Sequence, residues 1–316
     1  MTVTLGDIKK AHQRIKPYIH CTPILQSTQL NKLFTCELFF KADNMQKVGA
    51  FKARGACNAV FSMTKEVLAN GVITHSSGNH GAALAWAAAM RNIPCTVVMP
   101  ENAPQAKKDA VLSYGAIVVY CEPTMLAREG TVARLIEQQG ARLVHPYDDD
   151  LIIAGQGTAT LETLAQLDKP ADILMTPVGG GGLLGGSAIV VKQSSRTGIT
   201  QVIGAEPEAA NDAWLGFRSG TRLTEFVPNT IADGLRGTVG VRNFEIITQY
   251  VDDILLSSEA RIVEAMKLIW TRLKVVVEPS AAVPLAAIMD QPEQFKGKRV
   301  AIILSGGNLD LDALPW

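Results

Sequence analysis

No stretch of this 316-residue chain approaches the ~20 consecutive apolar residues that a membrane-spanning helix needs. The opening residues, MTVTLGDIKKAHQRIK, lack the apolar core of a secretory signal. Neither sign of charge is in excess, because 30 Lys plus Arg balance 30 Asp plus Glu. No basic stripe appears either, so nucleic acid is not an expected partner. Cysteine is scarce. Cys21, Cys36, Cys57, Cys95 and Cys121 are odd in number, widely spaced and form no CxxC pair, which argues against zinc. Internal repeats, low-complexity tracts and a Pro/Ser-rich linker are also missing. The expectation is a cytoplasmic protein with reduced thiols and no membrane partner.

Apolar residues make up 47% and charged residues 19%, which suits a large buried core. The length predicts about two domains, or one unit with an insertion. Short β-branched runs at 72–74, 96–99, 117–120, 142–144, 173–176, 202–205 and 300–304 alternate with helical patterns at 81–91, 105–113 and 131–138. Strand–helix–strand repetition implies α/β architecture, with mostly parallel sheets covered by helices. The run 71–147 reads as a compact unit. Without a linker, it is expected to be a small inserted domain, 69–148, within a large domain made of 1–68 and 149–316. At 259–274, Ile262, Met266, Ile269, Trp270 and Leu273 share one helix face, with Ser258 as N-cap.

Glycine is abundant at 27 and clustered. The segment PVGGGGLLGG at 177–186 follows an expected strand and opens an expected helix. Glycine amides at a helix N-terminus form a phosphate cradle. A flexible loop is the simpler reading, but four adjacent glycines carry a high entropy cost if they do nothing. Gly180, Gly182 and Gly185 also satisfy GxGxxG, with Glu206 about 20 residues on. That spacing imitates a dinucleotide fingerprint and keeps an NAD-dependent dehydrogenase open as a rival. Against it, the fingerprint usually opens its domain, and here several strands precede it.

Lys52 lies in GAFKARGA, beside Phe51 and at the start of a small-residue helix with Ala56, Ala59, Val60 and Met63 at helical spacing. Desolvation near a helix N-terminus lowers a lysine's pKa and makes it a nucleophile toward aldehydes. Arg54 reads as structural or surface. SSGNH, residues 76–80, ends another strand and combines hydroxyls, an amide and an imidazole at a helix start, a constellation suited to a carboxylate. SGGN, residues 305–308, places Ser305 where α/β sheets bind ligands.

Taken in order, GAFKARGA, SSGNH, VGGGGLLGG and LSGGN resemble the pyridoxal-phosphate enzymes of the serine/threonine dehydratase and serine racemase family. AGQGT (154–158), EPEAAND (206–212), TIADG (230–234) and VVEPS (276–280) extend the resemblance over nearly the whole chain. It implies a fold-type-II, tryptophan synthase β-like architecture of two open, twisted, mostly parallel sheets. It implies that Lys52 carries pyridoxal 5'-phosphate covalently and that Gly179, Gly180, Gly181, Gly182 and Leu183 bind its phosphate. Asn79 would meet the ring hydroxyl, Phe51 the ring and Ser305 the ring nitrogen. Ser77 would be the base on the ring face opposite Lys52. Ser76, Ser77, Asn79 and His80 would surround the substrate carboxylate, with Arg128 reaching in from the small domain. Glu206, the Ala210 carbonyl and Asp212 would hold Mg²⁺ or Ca²⁺ through hard oxygen ligands. Solvated surface carboxylates are the plainer reading of that pair. His75 and Trp86 read as packing.

The implied activity is release of ammonia and a 2-oxo acid from L-serine or L-threonine, with racemisation open, by a homodimer. A 3-hydroxyaspartate ammonia-lyase is the alternative. Its second carboxylate would need a cation, for which Arg236 and Arg128 are the candidates. The sequence ends at Trp316, so feedback through an allosteric C-terminal domain is not expected.

Overall fold

A computed structural model describes residues 3–76, 78–195 and 200–316. Ten strands are found among them: β1 (Ile24–Leu25), β2 (Glu37–Lys41), β3 (Val72–His75), β4 (Cys95–Pro100), β5 (Ile117–Cys121), β6 (Arg142–Leu143), β7 (Ile173–Pro177), β8 (Gln201–Pro207), β9 (Asp253–Ser257) and β10 (Arg299–Ile303). All seven expected strands are present. They form a six-stranded sheet, β1-β2-β10-β7-β8-β9, and a four-stranded sheet, β5-β4-β3-β6. Only the short β1–β2 pairing is antiparallel. Parallel strands align their C-terminal ends on one edge of a sheet. The turns after β3, β7, β8 and β10, which carry the sequence motifs, therefore leave from such edges.

One helix braces the site from behind. Asp150–Gln166 starts at Asp149, whose Oδ1 accepts from the amides of Leu151 and Ile152 at 2.8 and 3.3 Å. Its glycines permit close packing on two neighbours. A Cβ on Gly155 would lie 2.5 Å from the Gly55 Cα, and one on Gly157 would lie 2.9 Å from the Gly186 carbonyl oxygen. AGQGT is thus the contact face for the helices Lys52–Ser62 and Gly182–Gln193, which carry the lysine and the glycine cradle. The helix Glu259–Leu273 follows its predicted face. Ile262, Met266 and Ile269 are fully buried, and Ser258 Oγ caps the Arg261 amide. Truncating one of those side chains to alanine costs about 2–5 kcal/mol. Among the described residues no helix is long and apolar enough to cross a membrane.

Candidate active site

A cavity of about 180 Å³ is lined from both sheets and gathers the sequence motifs. Lys52 is the first residue of its helix. Its Nζ donates to the Pro146 carbonyl at 2.8 Å and stands 5.1 Å from the Phe51 ring centroid. Burial lowers its pKa to about 8, partly opposed by Glu278. The segment is tied to the turn after β10, because the Phe51 amide donates to the Ser305 carbonyl at 2.9 Å. Ser305 is buried and lines the same cavity.

The glycine cradle follows from local sterics. Gly181 has φ +89°, a conformation that L side chains rarely adopt. A Cβ on Gly180 would run into Cγ of Tyr147, so only glycine lets the loop lie against that ring. Asn243 Nδ2 donates to the Gly180 carbonyl at 2.7 Å, and the Gly240 amide donates to the same oxygen at 3.2 Å. The carbonyl is thereby turned away, while the amides of Gly179, Gly180, Gly181 and Gly182 donate to no described residue. The helix that starts at Gly182 has no side-chain cap. These donors and the helix dipole suit a phosphate. Leu183 packs beneath with Ala159 and Ile303 against Phe51.

On the other wall, Ser76 Oγ accepts from the Gly78 amide at 3.2 Å, and the helix Asn79–Met90 likewise begins without a side-chain cap. Ser77 lies outside the described residues. Asn79 Nδ2 donates to both carboxylate oxygens of Glu278, at 2.9 and 3.1 Å, and its Oδ1 accepts from Asn308 Nδ2 at 3.0 Å. His80 is buried, with Nε2 3.2 Å from the Val144 carbonyl. Burial holds its pKa well below the usual range, so the ring is neutral and the carbonyl fixes the proton on Nε2. Nδ1 is then a bare acceptor, and it has no partner among the described residues. Any hold His80 exerts on a carboxylate therefore runs through its backbone amide.

Arg128 lines the cavity, and its buried Nε has no acceptor among the described residues. His75, expected to be packing, also lines it, while Trp86 does pack. Glu278, Lys107, Tyr147 and Asp233 are cavity residues that sequence reasoning missed. Glu278 is raised to about 7 by burial, with Asp233 adding to the effect. Its sequence signal was its place in the motif VVEPS, just before the Pro-Ser of a helix start, as Asp233 stands in TIADG; neither residue was singled out there.

Glu206 and Asp212 stand apart from the cavity lining and are buried, at 0% and 3% exposure, which removes the surface reading. Glu206 accepts from the amides of Ala213 and Trp214 at 3.1 and 2.9 Å, and Asp212 from the Val239 amide at 2.9 Å. Burial and then Asp212 push Glu206 well up, and burial raises Asp212 to about 6. Two buried carboxylates this close suit a cation between them. With the Ala210 carbonyl they would offer three oxygen ligands. Among the described residues no cluster of three metal-binding side chains forms.

The sequence pattern of the family described as "Pyridoxal-phosphate dependent enzyme" matches residues 15–306. The chain belongs to that family. This pyridoxal-phosphate enzyme is 49% identical over 313 residues to the β-hydroxyaspartate dehydratase of Paracoccus denitrificans (strain Pd 1222), covering 99% of this chain and 98% of that protein. It is 49% identical over 319 residues to the serine racemase of Dictyostelium discoideum, covering 99% and 97%. The solved T.th. threonine deaminase superposes with a TM-score of 0.92 at 43% identity, over 98% of this chain and 99% of that one. The fold is that of the fold-type-II pyridoxal-phosphate enzymes. The dinucleotide reading falls. The family match overturns it.

Proposed function

We propose that this chain is a dehydratase of β-hydroxy amino acids, which releases ammonia and a 2-oxo acid from L-serine and L-threonine and racemises serine at the same α-carbon. The observation that carries the reading is one cavity holding Lys52, the glycine cradle and the uncapped start of the helix Asn79–Met90. When bound, pyridoxal phosphate supplies a sink for the electron pair left at the α-carbon. Lys52 holds the cofactor and then takes the α-proton on its own face of the ring; a pKa near 8 suits that exchange. Gly179–Leu183 amides hold the phosphate, Asn79 the ring hydroxyl, Phe51 the ring. Ser305 offers the ring nitrogen a neutral hydroxyl, which cannot keep it charged. Ser76, Asn79, His80 and Arg128 orient the substrate carboxylate. Assay of oxo acid and ammonia from a panel of β-hydroxy amino acids tests the reading, and a panel without release rejects it.

Ser77 is assigned the proton on the opposite face. Ser77→Ala is expected to abolish racemisation, and elimination from D-serine, by about 10²–10⁴-fold. Elimination from L-serine should survive better, since it needs only Lys52. Chiral chromatography with the oxo-acid assay checks this on both enantiomers. Equal losses would make Ser77 a positioning group.

Glu206, Asp212 and the Ala210 carbonyl are assigned Mg²⁺ or Ca²⁺. Removing the ion should lower the melting temperature, because a ligand bound only to the folded state stabilises it, by about 2.7 kcal/mol at a hundredfold excess over Kd. A chelator followed by Mg²⁺ or Ca²⁺ in a thermal melt checks this. Indifference to the chelator, together with parent-like behaviour of Glu206→Ala, rejects the site. The Asp212–Val239 bond links it toward the cradle through the neighbouring Gly240 amide.

The reading includes an inserted small domain at 69–148, which contains the whole four-stranded sheet, and 1–68 with 149–316 as the large domain. It includes a homodimer in the cytoplasm. The five free cysteines are consistent with a reducing compartment.

A further inference from the structure

Asn243 stands behind the cavity wall and holds it at two points. It is fully buried, in the helix Val241–Tyr250. Its Nδ2 donates to the Gly180 carbonyl at 2.7 Å and to the Tyr147 carbonyl at 3.0 Å. An oxygen in that position would face two carbonyl oxygens, so the amide has only this orientation. Its own Oδ1 is buried and has no partner among the described residues. An aliphatic side chain would avoid that unpaired oxygen, but it could not place a donor between the two carbonyls.

The two carbonyls are not equally supported. Tyr147 belongs to residues 145–149, a strap that runs from β6 to the helix Asp150–Gln166 and carries the Pro146 carbonyl that receives Lys52. The strap has other anchors. Asp148 Oδ2 and Oδ1 accept from the amides of Val241 and Arg242 at 3.1 and 2.9 Å, and so cap a helix whose N-cap, Gly240, has no side chain. His145 Nδ1 accepts from the Asp148 amide at 2.9 Å. The Gly180 carbonyl has only Asn243 and the longer 3.2 Å bond from the Gly240 amide among the described residues. Loss of Asn243 would leave the strap in place and fall on the cradle.

Resting on the reading of the glycine loop as a phosphate cradle, we infer that Asn243 is a positioning residue for the cofactor's phosphate. A trans peptide points its carbonyl and the next N–H in opposite directions. Drawing the Gly180 carbonyl back toward Asn243 therefore turns the Gly181 N–H toward the phosphate. Glycines on both sides of that peptide leave it free to rotate, and the Asn243 bond opposes the rotation. A rotated peptide would present a carbonyl oxygen to the phosphate in place of a donor.

The test equilibrates full-length holoenzyme against graded free pyridoxal phosphate and reads the bound fraction from the cofactor's absorbance. Asn243→Ala should raise the apparent Kd roughly 10- to 100-fold. Asn243→Asp should raise it at least as much, because a carboxylate oxygen then faces the carbonyls. Pyridoxal, which lacks the phosphate, should change by less than about threefold in either variant. Ile246→Ala, a buried truncation on the same helix, should lower the melting temperature yet keep the pyridoxal phosphate Kd within about threefold of the parent. A folded Asn243→Ala that keeps the parental Kd overturns the inference. So does an equal loss with pyridoxal, or an equal loss in Ile246→Ala. If neither Asn243 variant folds, hydrogen exchange in the parent decides: pyridoxal phosphate should slow exchange at 240–243 more than pyridoxal does, and equal exchange overturns the inference. A parent that binds no pyridoxal phosphate rejects the cradle reading itself.

Discussion

Lys52→Ala is expected to lower kcat/KM for oxo-acid release by about 10⁴-fold or more, with little change in the fold. Among the described residues the side chain makes one hydrogen bond, from Nζ to the Pro146 carbonyl. The helix behind it is held by other residues, so stability should change little. Two functions leave together: covalent retention of the cofactor and the proton carrier on that face. The desolvation that lowers its pKa to about 8 marks Lys52 as the nucleophile. Steady-state rates on the best substrate, with circular dichroism as the folding control, check the outcome. A folded variant keeping a tenth of parental activity contradicts it.

The second large effect is on stability. Arg54→Met is expected to destabilise the fold by about 3–5 kcal/mol, a fall in melting temperature on the order of 10 °C. Arg54 is fully buried, two residues beyond Lys52 on the same helix. Its guanidinium bonds Asp43 at 2.6 and 2.9 Å and Glu162 at 2.8 and 2.9 Å. Lys41 completes the cluster, 2.7 Å from Glu162. Without Arg54, two buried carboxylates share one lysine. Arg54→Lys should recover little, because an ammonium cannot fork to both. Burial alone would push both carboxyls up, yet Arg54 more than offsets it and holds them below their ordinary values of 3.8 and 4.5. A depressed carboxyl pKa gives stability that is complete above the unfolded value and is lost as pH falls through the folded one. The gap between parent and variant should therefore be full near neutral pH and shrink below about 4. Denaturant melts at pH 7 and pH 3.5 check this. Equal gaps at both, or a variant as stable as the parent, contradict it.

Legibility in the sequence followed physical cause. β-Branched runs marked β3, β4 and β7, which are buried along their length, and also β5, a partly exposed edge strand. β2 and β9, ELFFK and DILLS, escaped because short Leu/Phe runs between charges read equally well as helix. The helix Met125–Gln139 starts earlier than the predicted 131, where Thr124 Oγ1 caps the Ala127 amide at 3.1 Å. Lys52 and the cradle were legible because local chemistry requires them: four glycines and a lysine at a helix start. Glu278, Tyr147 and Lys107 reach the cavity only through tertiary approach, which leaves little periodic trace. Arg54 was read as structural or surface, and the structure decides for structural, since one residue cannot announce its two buried partners. Glu206 and Asp212 show the converse, since their family pattern was visible and their burial was not.

The most direct measurement is borohydride reduction of the purified holoenzyme, followed by peptide mapping. Reduction should bleach the visible band of the cofactor and leave a pyridoxyl label on Lys52, in the peptide that contains GAFKARGA. A label on any other lysine, or a protein with no band to bleach, would contradict the account.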